Sequence, residues 1–298
     1  MNIVEVSHIS KAFGRTQAVA DVSFHVERGE IFGLLGPNGA GKTTTIRIML
    51  DIFKADAGTV SVLDGPMTEE KKNRIGYMPE ERGLYQDIPL ERCLVYLATL
   101  KGLSSAEAHQ RLDGWLERFD LAAHKNKKVK ELSKGMQQKA QIITAVVHEP
   151  ELLIVDEPFA SLDPVNTQMV KDLMRELRDR GTAIIMSTHQ MHQVEELGDR
   201  ILLISEGRDV LYGDLSEIRR QHSGHAVVVR ALGELPALPG VVSSARHNDE
   251  ISLNLDDSVT PQDILQSLLA QGVVLEKFEI AIPSMDEIFI RVVGKGGE

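Results

Sequence analysis

Residues 36–43 read Gly36-Pro37-Asn38-Gly39-Ala40-Gly41-Lys42-Thr43 and fit G-x-x-x-x-G-K-[ST], the pattern of a phosphate-binding loop. The glycines let the backbone wrap close to an anion without Cβ clashes. Successive N–H groups and a helix N-terminus then point at the phosphates. Lys42 supplies a point charge for the β and γ phosphates, and the Thr43 hydroxyl is suited to Mg²⁺, with Thr44 following it. A plain Gly-rich turn has no need of Lys-Thr at its end. A second run, Leu152-Leu153-Ile154-Val155-Asp156-Glu157-Pro158, is an apolar strand ending in two carboxylates. Asp156 can hold Mg²⁺ through water opposite Thr43. Glu157, one residue on, can sit beside an attacking water as general base.

These groups need a scaffold. Glu30–Leu35 reads as a short buried strand before the loop, and Thr43–Leu50 as the start of a helix. The first 30 residues alternate (Val4, Val6, Ile9, then Val19, Val22, Phe24, Val26) between Gly14 and Gly29, which predicts antiparallel β structure. Turn–strand–turn is expected at 56–65, and a short strand at 74–79 ended by Pro79. Leu90, Leu94, Leu97 and Leu100, then Leu112, Trp115, Leu116 and Phe119, recur at helical spacing on either side of Gly102 and predict two helices with these residues as core. A helix over 133–149, strand 151–155, helix 164–180, strand 182–187, helix 190–197 and a strand pair at 200–212 follow. Alternation of this kind predicts an α/β core with a largely parallel sheet.

The pattern changes after about residue 221. Ala226–Leu232, Ile251–Leu255 and Val273–Ile282 are strand-like; Pro261–Ala270 and Ser284–Val293 are helix-like. We therefore expect a small α+β domain over 222–298, entered through the linker His222-Ser223-Gly224-His225. It carries no chemical motif, and its Asp256-Asp257 reads as a solvated turn. From its position alone we expect a dimer-stabilising or regulatory role.

The net charge is −11, of which −6 falls in residues 222–298 with 5 basic against 11 acidic residues. Neither part has the basic excess of a nucleic-acid binder. The one basic cluster, Lys125, Lys127, Lys128, Lys130 and Lys134, reads as a solvated helix end or loop. The single cysteine, Cys93, excludes an intrachain disulfide and suits a small buried position in a reducing compartment. No apolar run approaches the roughly 20 residues needed to span a bilayer. The first residues lack a signal peptide's basic start and apolar core. The expectation is a cytoplasmic chain without direct membrane insertion.

Further motifs carry a family resemblance over residues 1–220. Leu132-Ser133-Lys134-Gly135-Met136-Gln137-Gln138 resembles the signature segment of ABC ATPases, usually LSGGQ, and lies about 90 residues after the phosphate loop and about 20 before Asp156. Ser161-Leu162-Asp163 resembles their D-loop, and Ser187-Thr188-His189 their switch histidine. Phe13 stands where an aromatic stacks on adenine. The resemblance implies a P-loop ABC ATPase core over 1–221: a RecA-like parallel sheet, an antiparallel β subdomain and a helical subdomain at about 87–149. It implies ATP and Mg²⁺ as ligands. Ser133 and Gly135 would bind the ATP of an opposite subunit in a head-to-tail homodimer, and His189 would contact the γ-phosphate and the attacking water.

Two departures matter. The sensor loop of the family usually carries Gln after Tyr-x-Pro, and here Glu80 follows Tyr77-Met78-Pro79. Its carboxylate is a stronger Mg²⁺ ligand than an amide. Lys134 and Met136 replace Gly and Gln, and Lys134 would add positive charge near the partner's γ-phosphate. The run Pro79-Glu80-Glu81-Arg82-Gly83-Leu84-Tyr85, with Pro283-Ser284-Met285-Asp286-Glu287-Ile288-Phe289, resembles the ATPase subunits of sodium-, drug- or lipid-extruding exporters. In these the polytopic permease is a separate chain, so a peripheral place on the cytoplasmic membrane face is implied. The alternatives are a non-transport ABC ATPase, such as a translation or assembly factor, and a weakly active regulatory cassette. One cassette and no coiled-coil insertion count against the first.

Overall fold

A computed structural model describes residues 2–81, 83–223, 226–233, 235–247, 249–256 and 258–294. Arg82, Gly224, His225 and Asp257, named above, lie outside them. The chain forms two compact units, Met1–Gly213 and Asp214–Glu298.

The first unit opens with β1 (Asn2–Phe13), β2 (Thr16–Glu27), β3 (Ile31–Leu35), α1 (Lys42–Met49), β4 (Ala57–Val62), α2 (Glu69–Lys72) and β5 (Ile75–Met78). It continues through α3 (Leu90–Leu100), α4 (Ser105–Arg118), α5 (Lys134–Val146), β6 (Leu152–Asp156), α6 (Pro164–Asp179), β7 (Ala183–Thr188), α7 (Met191–Leu197), β8 (Arg200–Ser205) and β9 (Arg208–Asp214). The second unit holds α8 (Leu215–Gln221), β10 (Ala226–Leu232), β11 (Val241–His247), β12 (Glu250–Leu255), α9 (Pro261–Ala270), β13 (Val274–Ile280) and α10 (Met285–Gly294).

Two sheets build the first unit. The six-stranded one runs β5-β6-β7-β3-β8-β9, and β5/β6, β6/β7, β7/β3 and β3/β8 are all parallel. Every residue of β3, β6 and β7 is buried. Strands covered on both faces read as unbroken apolar runs, as these do. The three-stranded sheet β2-β1-β4 is antiparallel. Val4, Val6, Val22, Phe24 and Val26 from it join Phe32, Leu34, Ile46, Ile154 and Ile185 in one core. The α/β core and the antiparallel opening are therefore as the sequence predicts.

The helical segment follows the leucine periodicity with one correction. Leu90 and Leu94 are fully buried, and Cys93 and Ala98 share that face, but Leu100 is 57% exposed. At 100° per residue, Leu100 lies about a quarter turn off Leu90, at the end of the helix. Ser104 and Glu107 form a capping box that starts α4. Helix α5 lies very close to β5: a Cβ at Gly76 would meet the Ala145 carbonyl oxygen at 2.0 Å. Only glycine permits that approach.

The second unit is a four-stranded antiparallel sheet, β11-β12-β10-β13, whose inner residues Val227, Val229, Leu253 and Leu255 pack with Ile264 and Leu268 of α9. Strand β11 is not anticipated by the sequence. It is an edge strand with five consecutive exposed residues, Val242 to Arg246, and shows no alternation. Helix α8 is also unanticipated, although Asp214 caps it by accepting from the Glu217 N–H at 2.9 Å.

His148, just after α5, is held between its helix and β5. Its Nε2 donates to the Ile75 carbonyl at 3.2 Å, while its Nδ1 is sealed from solvent with no partner among the described residues. Burial, with Lys101 and then Arg111 nearby, pushes the ring from an ordinary 6.5 down to about 4. As pH falls from 6.5 to about 4, the unfolded chain takes up this proton before the folded one does, so stability present above that window is lost through it. The loss is about 3 kcal/mol from this one residue. In urea unfolding across the same window, His148→Gln should gain on the wild type by that amount; a pH-independent difference would contradict this.

Candidate active site

Strand β3 ends at Leu35, and the chain turns at once into the loop that caps α1. Gly41 is the N-cap of α1 at φ 110°, and a Cβ there would lie 2.4 Å from the Ala18 carbonyl oxygen. Lys42 folds back over the loop: its Nζ donates to the carbonyls of Gly36 at 2.7 Å and Pro37 at 3.1 Å. Asn38 to Thr44, with Ala18, Glu80, Asp156 and Glu157, line one cavity of about 220 Å³. The Lys42 ammonium is held below its ordinary pKa by burial, opposed by Glu157, Asp156 and Glu80. Three carboxylates thus face one cation across a site with room for more positive charge.

Asp156 and Thr43 meet directly: the Thr43 hydroxyl donates to Asp156 Oδ2 at 2.9 Å. No group of three or more His, Cys, Asp or Glu suited to a metal exists among the described residues. A hydroxyl paired with one carboxylate nonetheless fits Mg²⁺, which keeps several waters and takes one or two protein oxygens plus phosphates. The residues present therefore fit that ion.

Glu157 leaves β6 in the left-handed region, φ 51°. Such a conformation costs about 1–3 kcal/mol in a non-glycine residue and must be held by its surroundings. Its N–H donates to the Ser187 carbonyl at 2.9 Å. Its carboxylate accepts from the His189 N–H at 2.9 Å, the Thr188 hydroxyl at 3.0 Å and His189 Nδ1 at 2.6 Å. The His189 side chain is 47% exposed.

The other predicted residues lie elsewhere. Gly36 and Pro37 serve Lys42 through their carbonyls rather than lining the cavity. Ser133 caps α5, its hydroxyl accepting from the Met136 N–H at 3.2 Å. A Cβ at Gly135 would meet the Ser161 carbonyl oxygen at 3.1 Å, so this turn lies against its own chain's 161–163 loop. Asp163 of that loop caps α6 by accepting from the Asn166 N–H at 2.9 Å. Phe13 is 45% exposed and packs edge-on to Phe53. In the basic cluster, Lys125 pairs with Glu91 and Lys130 with Asp87, as a solvated face would. Thr188, Gln138, Gln141 and Ala18 were not foreseen as site residues. Thr188 stood in the quoted Ser187-Thr188-His189 run and Gln138 at the end of the quoted Leu132-to-Gln138 run; Gln141 carries no signal beyond its helical spacing.

Residues 19–160 match the family model described as ABC transporter, and residues 213–293 match the C-terminal domain of DrrA1-3-like ATP-binding proteins. The chain is 41% identical over 295 residues to the ABC transporter ATP-binding protein YhaQ of Bacillus subtilis, covering 98% of this chain and 99% of that one. The chain belongs to the ABC transporter ATP-binding proteins. The linearmycin resistance ATP-binding protein LnrL of Bacillus subtilis is 30% identical over 307 residues, covering 98% of this chain and 99% of LnrL. A solved ATP-binding subunit of an ABC transporter superposes with TM-score 0.70 at 35% identity, covering 74% of this chain and 93% of that one. ABC cassettes are ATPases that bind ATP, generally with Mg²⁺, and work with transmembrane permeases. Among the described residues, no helix of the cassette is long and apolar enough to cross a membrane. Nothing in these likenesses favours a non-transport ATPase.

The Thr188 hydroxyl both donates to Glu157 and accepts from the Gln190 N–H at 3.1 Å. Thr188→Val keeps the shape and strips both bonds. It should cost about 1–3 kcal/mol in denaturant unfolding; an unshifted midpoint would show that the Glu157 carboxylate is held without it.

Proposed function

We propose that the cassette hydrolyses ATP to drive a separate polytopic permease in the export direction, as a pair of chains docked on the cytoplasmic face of the membrane. The observation that carries the catalytic part is the Glu157 carboxylate, fixed by Thr188 and His189 on the wall of the phosphate-loop cavity. Lys42 and the loop amides from Asn38 to Thr44 would bind the phosphates. Thr43 and Asp156, with Glu80, would hold Mg²⁺, which when bound neutralises charge on the phosphate oxygens.

Glu157 takes the proton of a water as the water oxygen bonds to the γ-phosphorus and the bond to the bridging oxygen breaks, releasing ADP and phosphate. His189, with Nδ1 on Glu157, would position the water beside the γ-phosphate. Phe13, exposed at the end of β1 in the antiparallel sheet, would stack on adenine. Ser133 and Gly135, off their own chain's cavity, would complete the partner's site.

The export reading has separate support. LnrL is named for resistance to a compound, and the matched C-terminal family is DrrA-like. Beyond Glu80, Tyr85 and Tyr96 pack edge-on with ring centroids 5.7 Å apart, each about half exposed, and Leu100 is exposed nearby on α3. An apolar patch directly after the sensor loop is suited to pass motion to a permease.

Glu157→Gln should still bind ATP and accumulate as an ATP-bound dimer by light scattering, while turnover falls by about 10²–10⁴. Hydrolysis at the wild-type rate would remove Glu157 as the base. Copurification of a polytopic membrane protein with the tagged cassette would support transport, and ribosomes in its place would not.

A further inference from the structure

Of the three buried glutamines of helix α5, Gln138 and Gln141 lie one turn apart, and each is bonded to a different active-site loop. Gln138 Nε2 donates to the carbonyls of Glu157 at 3.3 Å and Pro158 at 3.1 Å. Gln141 Nε2 donates to the carbonyls of Pro79 at 2.7 Å and Glu81 at 3.3 Å. These two carbonyls bracket Glu80. Gln141 is 3% exposed, and its Oε1 is buried without a partner among the described residues. Turning the amide over would set Oε1 against two carbonyl oxygens, so its orientation is fixed by chemistry. A residue kept only for packing has no reason to bury an unmatched acceptor.

Glu80 needs such a restraint. It lies beyond the end of β5, its residue is exposed, and it shares a cavity wall with Asp156 and Glu157. Two further carboxylates on the same wall repel it. A neutral amide in the usual Gln position of the family would feel no such push. The clamp from Gln141 is short because α5 approaches β5 as closely as Gly76 allows.

We propose that Gln141 is a positioning residue for Glu80: its amide pins the backbone on both sides of Glu80 and keeps the carboxylate facing the phosphate-loop cavity against repulsion from Asp156 and Glu157. This rests on reading Glu80 as a group on the metal side of the site.

The test is Mn²⁺ affinity, by electron paramagnetic resonance, of the full chain loaded with a non-hydrolysable ATP analogue. Wild type, Gln141→Leu, Glu80→Gln and the double variant are compared. Gln141→Leu should weaken Mn²⁺ binding by about tenfold, as loss of an outer partner of a metal ligand does. The double variant should bind no more weakly than Glu80→Gln alone, because Gln141 acts only through Glu80. Analogue binding without metal should not change. If Gln141→Leu does not fold, Gln141→Asn, one methylene too short to span both carbonyls, takes its place with the same expectation. Additive losses in the double variant, or undiminished Mn²⁺ binding in the Gln141 variant beside a weakened Glu80→Gln, would overturn the positioning role while leaving the reading of Glu80 intact. Unchanged Mn²⁺ binding in Glu80→Gln itself would overturn both.

Discussion

Three carboxylates and one buried ammonium share the wall of a single cavity, and the surrounding architecture exists to hold that imbalance in place. Left to themselves, Glu80, Asp156 and Glu157 would repel one another as like charges. Each is instead restrained. Asp156 is at the buried end of β6 and accepts from Thr43. Glu157 is strained at φ 51° and tied through Thr188 and His189. Lys42 is bonded to carbonyls of its own loop. Such a surplus of negative charge suits a site where a cation arrives with the ligand.

The parallel sheet brings these groups together. Strands β6, β7 and β3 are neighbours, in register at Asp156↔Ser187 and Thr188↔Leu35. Their C-terminal ends therefore form one edge, and the residues just past it, Gly36, Glu157 and His189, emerge side by side. Open parallel sheets bind ligands at this edge because every strand delivers its following loop there. Three motifs far apart in the chain become one site through strand order alone.

That explains what the sequence could and could not convey. The phosphate loop, Asp156 and Glu157 are contiguous patterns attached to buried strands, so their chemistry and their position are legible together. His189 is legible because it too follows a strand. Gln138 and Gln141 are not, because their partners are backbone carbonyls of loops far away in sequence, and a carbonyl leaves no mark on residue type. Leu100 shows the same limit: periodicity fixes a helix face, but not where the packing partner stops. Strand β11 was missed because an edge strand with exposed side chains on both faces has no reason to alternate.

The turn at Ser133–Gly135 then acquires a physical meaning. A hydroxyl, a glycine and the start of a 13-residue helix are the parts of an anion site. Yet Ser133 and Gly135 do not line their own chain's phosphate cavity, and Gly135 backs onto Ser161. Chemistry suited to phosphate, placed where its own chain presents none, supports a second copy as the source. On that reading one helix serves two sites: its first turn faces the partner's nucleotide, and its buried glutamines hold Glu157 and Glu80 at its own. Any shift of α5 on pairing would then reach both carboxylates, since the Gln138 amide bonds one loop to the helix and the Gln141 amide the other.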